Sequence, residues 1–195
     1  MASANPYGDF EITDPKAMRA LAHPVRLALL EQLHRHGPAT ASQLSQHVGA
    51  TPSVTSWHLR HLAGFGLVRD AEPGSDRRER RWEAAGHGFR FSSDGGGTEG
   101  RAAARMLSDQ MFLQASDLPL RWAAEAAPGL EPEWQDESGF ANTRIVATPQ
   151  ELTQIAQAME AVLAPFVLRE PGEAPAGSRG VRFLRYVLPE GGDDE

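Results

Sequence analysis

Thr40-Ala41-Ser42-Gln43 and, eleven residues further on, Thr51-Pro52 open two helices with only Gly49 and Ala50 between them. Few arrangements constrain a fold more. In the first, a threonine cap and a glutamine three residues later satisfy each other's backbone donors. The helix they start carries Leu44 and Val48 inward and stops at Gly49, a residue free to take the left-handed conformation that closes a helix. In the second, a polar cap precedes a proline at the first helical position. That helix is predicted to run to about residue 65, with Thr55, Leu59 and Leu62 on its inner face and polar side chains outside. Two helices joined by so tight a glycine turn, the second polar on its outer face, make a helix-turn-helix.

The flanking residues extend the pattern. Residues 1–13 read as a flexible arm. Asp14-Pro15 starts a helix bearing Met18, Leu21 and Ala22 on one face, and Pro24 starts a second, apolar around much of its circumference, which ends at Gly37-Pro38. After Gly66, residues 67–71 read as a strand and residues 80–84 as its return, with a turn-rich tip between them. A hairpin directly after the second helix of the motif is the wing of a winged helix. The winged domain is thus expected over 14–90.

From residue 91 the character changes. Residues 91–100 form a Gly/Ser-rich linker that includes Gly95-Gly96-Gly97. A long helix follows to about residue 118, with Ala103, Leu107, Met111, Ala115 and Leu118 along one side and Pro119 as a break. Residues 143–147 are predicted to be a strand. A second capping box, Thr148-Pro149-Gln150-Glu151, then begins a helix carrying Leu152, Ile155, Met159, Val162, Leu163 and Phe166. Pro165 is expected to end or bend that helix, and residues 181–188 form a nearly continuous apolar strand. Residues 101–189 are read as a dimerisation region in which ligand sensing is left open, and 190–195 as an acidic tail. The fold class is α+β, mainly helical: a winged helix-turn-helix domain, then a helical dimerisation region with a small strand-helix-strand unit.

The net charge of −7 disguises an uneven distribution. Residues 14–90 hold eleven Lys+Arg against seven Asp+Glu, whereas residues 91–195 hold eight against seventeen. A mildly basic front half suits contact with phosphates. The absence of cysteine excludes disulfides, thiolate metal sites and cysteine nucleophiles. With no apolar run at the start and no stretch approaching the ~20 apolar residues of a membrane span, the chain is expected in the cytoplasm, away from membranes.

Leu21-Ala22-His23-Pro24-Val25-Arg26-Leu27 and Ser53-Val54-Thr55-Ser56-Trp57-His58-Leu59-Arg60-His61-Leu62 resemble the opening run and the recognition helix of the ArsR-type winged helix-turn-helix regulators. The resemblance covers roughly residues 14–86. It implies a homodimeric transcription regulator, usually a repressor, bound to an inverted-repeat operator in double-stranded DNA. The chain departs from the metal sensors of that family: residues 41–47 lack their cysteines, and residues 101–122 contain no histidine. No metal and no cofactor are therefore expected.

The outward residues Ser53, Ser56, Trp57 and Arg60 are the candidate DNA contacts of the recognition helix, with Thr51 at its cap and His58, beside Arg60, as a candidate phosphate contact, joined by Arg77, Arg78 and Arg80 at the wing. Met18 and Leu21, with Leu107, Met111, Ala115 and Leu118, are the candidate dimer seam. The pair His58 and His61 sits at a possible ligand spacing, but no acidic third ligand lies nearby in the sequence. No phosphate-binding loop or nucleophile elbow occurs, so catalytic residues are not assigned and an enzyme is the least expected class. The competing reading is a winged-helix protein-interaction module without DNA contact. A small-molecule effector is left open.

Overall fold

The computed structural model describes residues 5–72, 79–92, 96–169 and 171–191. Helix α1 (Pro15–Leu21) starts where Asp14 Oδ1 accepts the Lys16 N–H at 2.8 Å, and α2 (Pro24–His36) starts at His23, whose Nδ1 accepts the Val25 N–H at 3.2 Å. Both carry proline in the first turn, where no donor is lost. Helix α3 (Ala41–Val48) has both halves of the predicted capping box, and Gly49 ends it at φ 63° and ψ 28°. Helix α4 (Pro52–Ala63) follows at once. Leu44, Leu59 and Leu62 from this pair join Leu27, Leu29, Leu30 and Leu33 of α2 in one core.

The chain then returns in strands. Numbered in chain order, β1 is Phe10–Ile12, β2 Ala39–Thr40, β3 Val68–Asp70, β4 Arg81–Ala84 and β5 Phe89–Phe91. β2, β4 and β3 form an antiparallel sheet in that order, with Ala39 opposite Trp82 and Val68 opposite Ala84. The register turns Trp82 and Val68 into the core, where both are fully buried. This gives the α+β winged helix-turn-helix fold expected from the residues.

Three short strands were not legible: β2, where the sequence showed only a helix cap, and the pair β1 and β5. β1 and β5 pair in parallel, Phe10 with Phe89 and Ile12 with Phe91, and Ile12 is buried. The end of the expected arm is thus part of the fold, because a strand arriving some eighty residues later supplies its hydrogen bonds. Phe91, placed in the linker by sequence, belongs to β5.

Helix α5 (Gly97–Ala115) packs along α1 and buries Leu107 together with Gly100, Ala103 and Ala104, the last three small enough to let the two helices approach closely. Arg19 and Glu99 form an ion pair across this contact. Met18, Leu21 and Leu107 are wholly buried in the chain's own core. They are therefore not free for a dimer seam, since α1 and α5 cover each other.

Beyond Leu107 no described residue is buried. Helix α6 (Leu118–Glu125) takes Pro119 into its first turn, α7 is Pro132–Asp136, and α8 (Pro149–Val167) has both halves of its capping box and continues through Pro165. Residues 143–147 and 181–188 carry no strand, and the strand-helix-strand unit is not formed within one chain. The apolar, β-branched composition of these segments favours strands, but a strand needs a ladder partner. The 181–188 segment is held by side-chain contacts: Arg182 to Glu31 of α2 at 2.5 Å, Arg185 to Sδ of Met159 on α8 at 3.9 Å, and Tyr186 stacked on Phe112 of α5 with ring centroids 5.7 Å apart.

Candidate nucleic-acid interface

Thr51 caps α4 by accepting the Val54 N–H on Oγ1 at 3.4 Å, leaving its exposed side chain at the helix N-terminus. From there the helix divides cleanly. Thr55, His58, Leu59 and Leu62 are buried against α1, α2 and the sheet. Ser53, Ser56, Trp57 and Arg60 share the opposite face at i, i+3, i+4 and i+7 spacing; Ser56 is half-buried and the others exposed. Arg60 lies back along the helix, its Nε donating to the Ser56 carbonyl at 3.3 Å.

His58 does not belong to this face. It is 6% exposed and lies on the inner side of α4, with its ring centroid 4.9 Å from that of His23. The expected phosphate contact is thus an inward residue, because the three-residue step from Thr55 carries position 58 back to the buried side. Conversely, Val54 is 46% exposed and adds an apolar side chain that a search for polar contacts passes over.

Beneath the helix is a basic, partly dehydrated cluster. Burial holds the imidazoles of His23 and His58 below the ordinary histidine range, and the Arg26 guanidinium pushes both further down. Burial lowers His61 as well, again helped by Arg26. Nδ1 of His58 and Nε of Arg26 are buried without a hydrogen-bond partner. Outside this cluster, the Trp57 indole lies flat on His61, interplanar angle 12° and centroids 5.6 Å apart, and meets the edge of His58 at 4.9 Å. The indole is thereby fixed on the helix surface while 55% of the residue stays exposed.

At the wing, Arg77 and Arg78 lie outside the described residues. Arg80 is described and committed: its guanidinium forks onto Asp70, Nε to Oδ1 at 2.6 Å and Nη2 to Oδ2 at 3.1 Å, and covers the Trp82 ring at 4.0 Å. The same contact holds the Asp70 carboxyl below the usual carboxylate range. Arg69 pairs with Glu83 at 2.6 Å, and Arg81 donates to the Pro38 carbonyl at 2.6 Å, tying β4 to the turn before β2. Arg80 is thus placed to brace the base of the hairpin.

Of the remaining seam candidates, Met111 is exposed, and Ala115 and Leu118 are half-buried. Met106, Phe112 and Leu113 are exposed beside them. Among the described residues no three His, Asp or Glu side chains are grouped to hold a metal ion, and no helix is long and apolar enough to cross a membrane.

Residues 21–71 match the family model described as a helix-turn-helix domain. No curated protein matches the chain. Among solved structures, the chain is similar to a possible transcriptional regulator for arsenical resistance at 28% identity and TM-score 0.32, covering 56% of this chain and 95% of that one. It is also similar to NMB1585, a MarR family regulator from Neisseria meningitidis, at 18% identity and TM-score 0.30, covering 76% of this chain and 79% of that one. A third is RV1404 from Mycobacterium tuberculosis, at 16% identity and TM-score 0.29, covering 74% and 83%.

Proposed function

We propose that this protein is a DNA-binding transcription regulator of ArsR-like type, acting as a homodimer and repressing from an inverted-repeat operator, rather than an enzyme. One observation carries the reading: within a matched helix-turn-helix domain, α4 buries one side completely and offers Ser53, Ser56, Trp57 and Arg60 together on the other. A helix held this way presents its outer face to the major groove, while arginines of the wing meet phosphates.

The homodimer is supported by the surface behind the DNA-reading head. Met111, Phe112 and Leu113 of α5, Ile155, Met159, Val162 and Phe166 of α8, and most of residues 181–188 are exposed in the single chain. An apolar surface on this scale needs cover, and a second copy supplies it in the symmetry that two operator half-sites require.

The test is binding of the full chain to random duplex DNA across a salt series. Tight binding that falls steeply with salt is expected, because phosphate contacts release counterions. Replacing Arg77 and Arg78 together with alanine should flatten the logarithmic salt slope by about two, roughly one for each lost phosphate contact. Absence of salt-dependent duplex binding would overturn the DNA reading in favour of an interaction module.

A further inference from the structure

The outer face of α4 contains an anomaly for a helix that meets a polyanion. Val54 and Trp57, one turn apart, expose 46% and 55% of their surfaces among serines and an arginine. The structure orients this apolar pair. Trp57 cannot sweep freely, because its ring stacks on His61 and makes a T-shaped contact with His58. Val54 is in the first turn of α4, fixed by the bond from its N–H to the Thr51 cap, and its branched side chain has few rotamers. Neither residue is needed by the core, which Thr55, Leu59 and Leu62 already fill from this helix. Two pre-oriented apolar groups remain on the surface that the DNA-binding reading turns toward the bases.

The major groove contains one apolar group, the C5-methyl of thymine. We propose that Val54 and Trp57 form a methyl-reading pair that selects thymines in each operator half-site. This deepens the DNA-binding reading and rests on it. The spacing limits the register. Residues three apart on a helix are displaced by about 4.5 Å along its axis, against roughly 3.4 Å between successive base pairs. The two side chains therefore address adjacent or next-but-one positions. Ser53, Ser56 and Arg60 on the same face supply the polar contacts between and beside them. The same chemistry accepts a 5-methylcytosine in place of thymine, since the pair senses the methyl group and not the pyrimidine's hydrogen-bonding edge.

The experiment begins with duplexes enriched from a random pool by the full-length protein. In the enriched site, each thymine is replaced in turn by uracil, which removes the methyl and nothing else. Substitution at one or two positions per half-site should weaken binding about fourfold per methyl, the loss expected for one buried carbon. Cytosine to 5-methylcytosine at a site where C replaces the read T should recover part of that loss. V54A and W57A, both at surface positions, should fold as the parent by circular dichroism, and each is read by its own ratio of affinity for the thymine duplex to affinity for the uracil duplex. V54A should no longer distinguish thymine from uracil at one position, and W57A at the other. Equal affinity for thymine and uracil at every position, with duplex binding intact, would overturn the methyl-reading pair alone. So would unchanged discrimination in both variants. Failure of all duplex binding would instead overturn the DNA reading beneath it.

Discussion

Residues 10–107 and residues 108–191 are built from similar amounts of apolar material and treat it in opposite ways. In the first region Met18, Leu21, Leu29, Leu59, Leu62, Trp82 and Leu107 are sealed from solvent by one another. In the second, helix α8 carries a capping box and a full apolar stripe, yet none of its residues is buried. Among the described residues, Arg90 is a shielded polar link between the regions: it reaches Glu160 of α8 at 2.9 Å while also pairing with Asp9 at 3.0 Å. Amphipathic pattern specifies a face; whether that face finds cover depends on what else the chain folds against it. The front region is self-sufficient, and the back region is a surface.

The comparison breaks most visibly by cutting the chain. A variant ending at Ser116 keeps α5, whose Ala103, Ala104 and Leu107 complete the front core, and loses everything after it. Expected is a folded, cooperative monomer by light scattering and circular dichroism, with operator affinity reduced to that of a single head. A truncated chain that stays dimeric would move the assembly surface into the front region. One that fails to fold would show that the back region is part of the core after all.

Point substitutions should separate the regions by size of effect. Leu21→Ala removes a side chain enclosed by α1, α5 and the core, and should cost about 2–5 kcal/mol in denaturant unfolding. Val187→Ala, at an exposed position of the back segment, should stay within about 0.5 kcal/mol for a single chain. If Val187 lies in a dimer contact, its cost should instead grow on dilution through the dissociation range. Gly49→Ala lies between these two: at φ 63° a side chain is strained, and about 1 kcal/mol of stability should go.

The front region was legible because its local signals and its tertiary structure agree. Thr40 with Gln43, Gly49, Thr51 with Pro52 and the leucine spacings each name one helix end or one inward face, and each is used that way. The misreadings occurred where the deciding partner lies far along the chain. β1 depends on β5, and Met18 and Leu21 are covered by α5 rather than by a second subunit. Residues 143–147 and 181–188 have strand composition, but composition cannot supply a neighbouring edge. On α4, polar type agrees with the outward placement of Ser53, Ser56 and Arg60 and fails for His58 and Val54, whose placement follows helix phase.

The smallest expected effect concerns that buried histidine, and its sign can be worked out. His23 accepts the Val25 N–H on Nδ1, which requires an unprotonated nitrogen there. His58, its ring tilted against that of His23, faces Arg26 from α2 and His61 from its own helix, and has no carboxylate among the charges acting on it. Both groups titrate lower in the folded protein than the ordinary value of 6.5, so the unfolded chain binds protons first as the pH falls. Their contribution to stability is complete above about pH 6.5 and is lost below it, as the pH drops toward the folded values. His34, lowered by burial, acts in the same direction, whereas Asp70, held down by Arg80, is lost only further into the carboxylate range. H58Q keeps a neutral polar side chain with no such proton, and H23N keeps a good helix cap. Each should shallow the fall of the urea midpoint between about pH 6.5 and 5, and the double variant more than either. Parallel pH profiles for the wild type and both variants would show that this cluster does not couple protons to the seating of α4. The front region's resistance to acid would then rest on its carboxylate pairs.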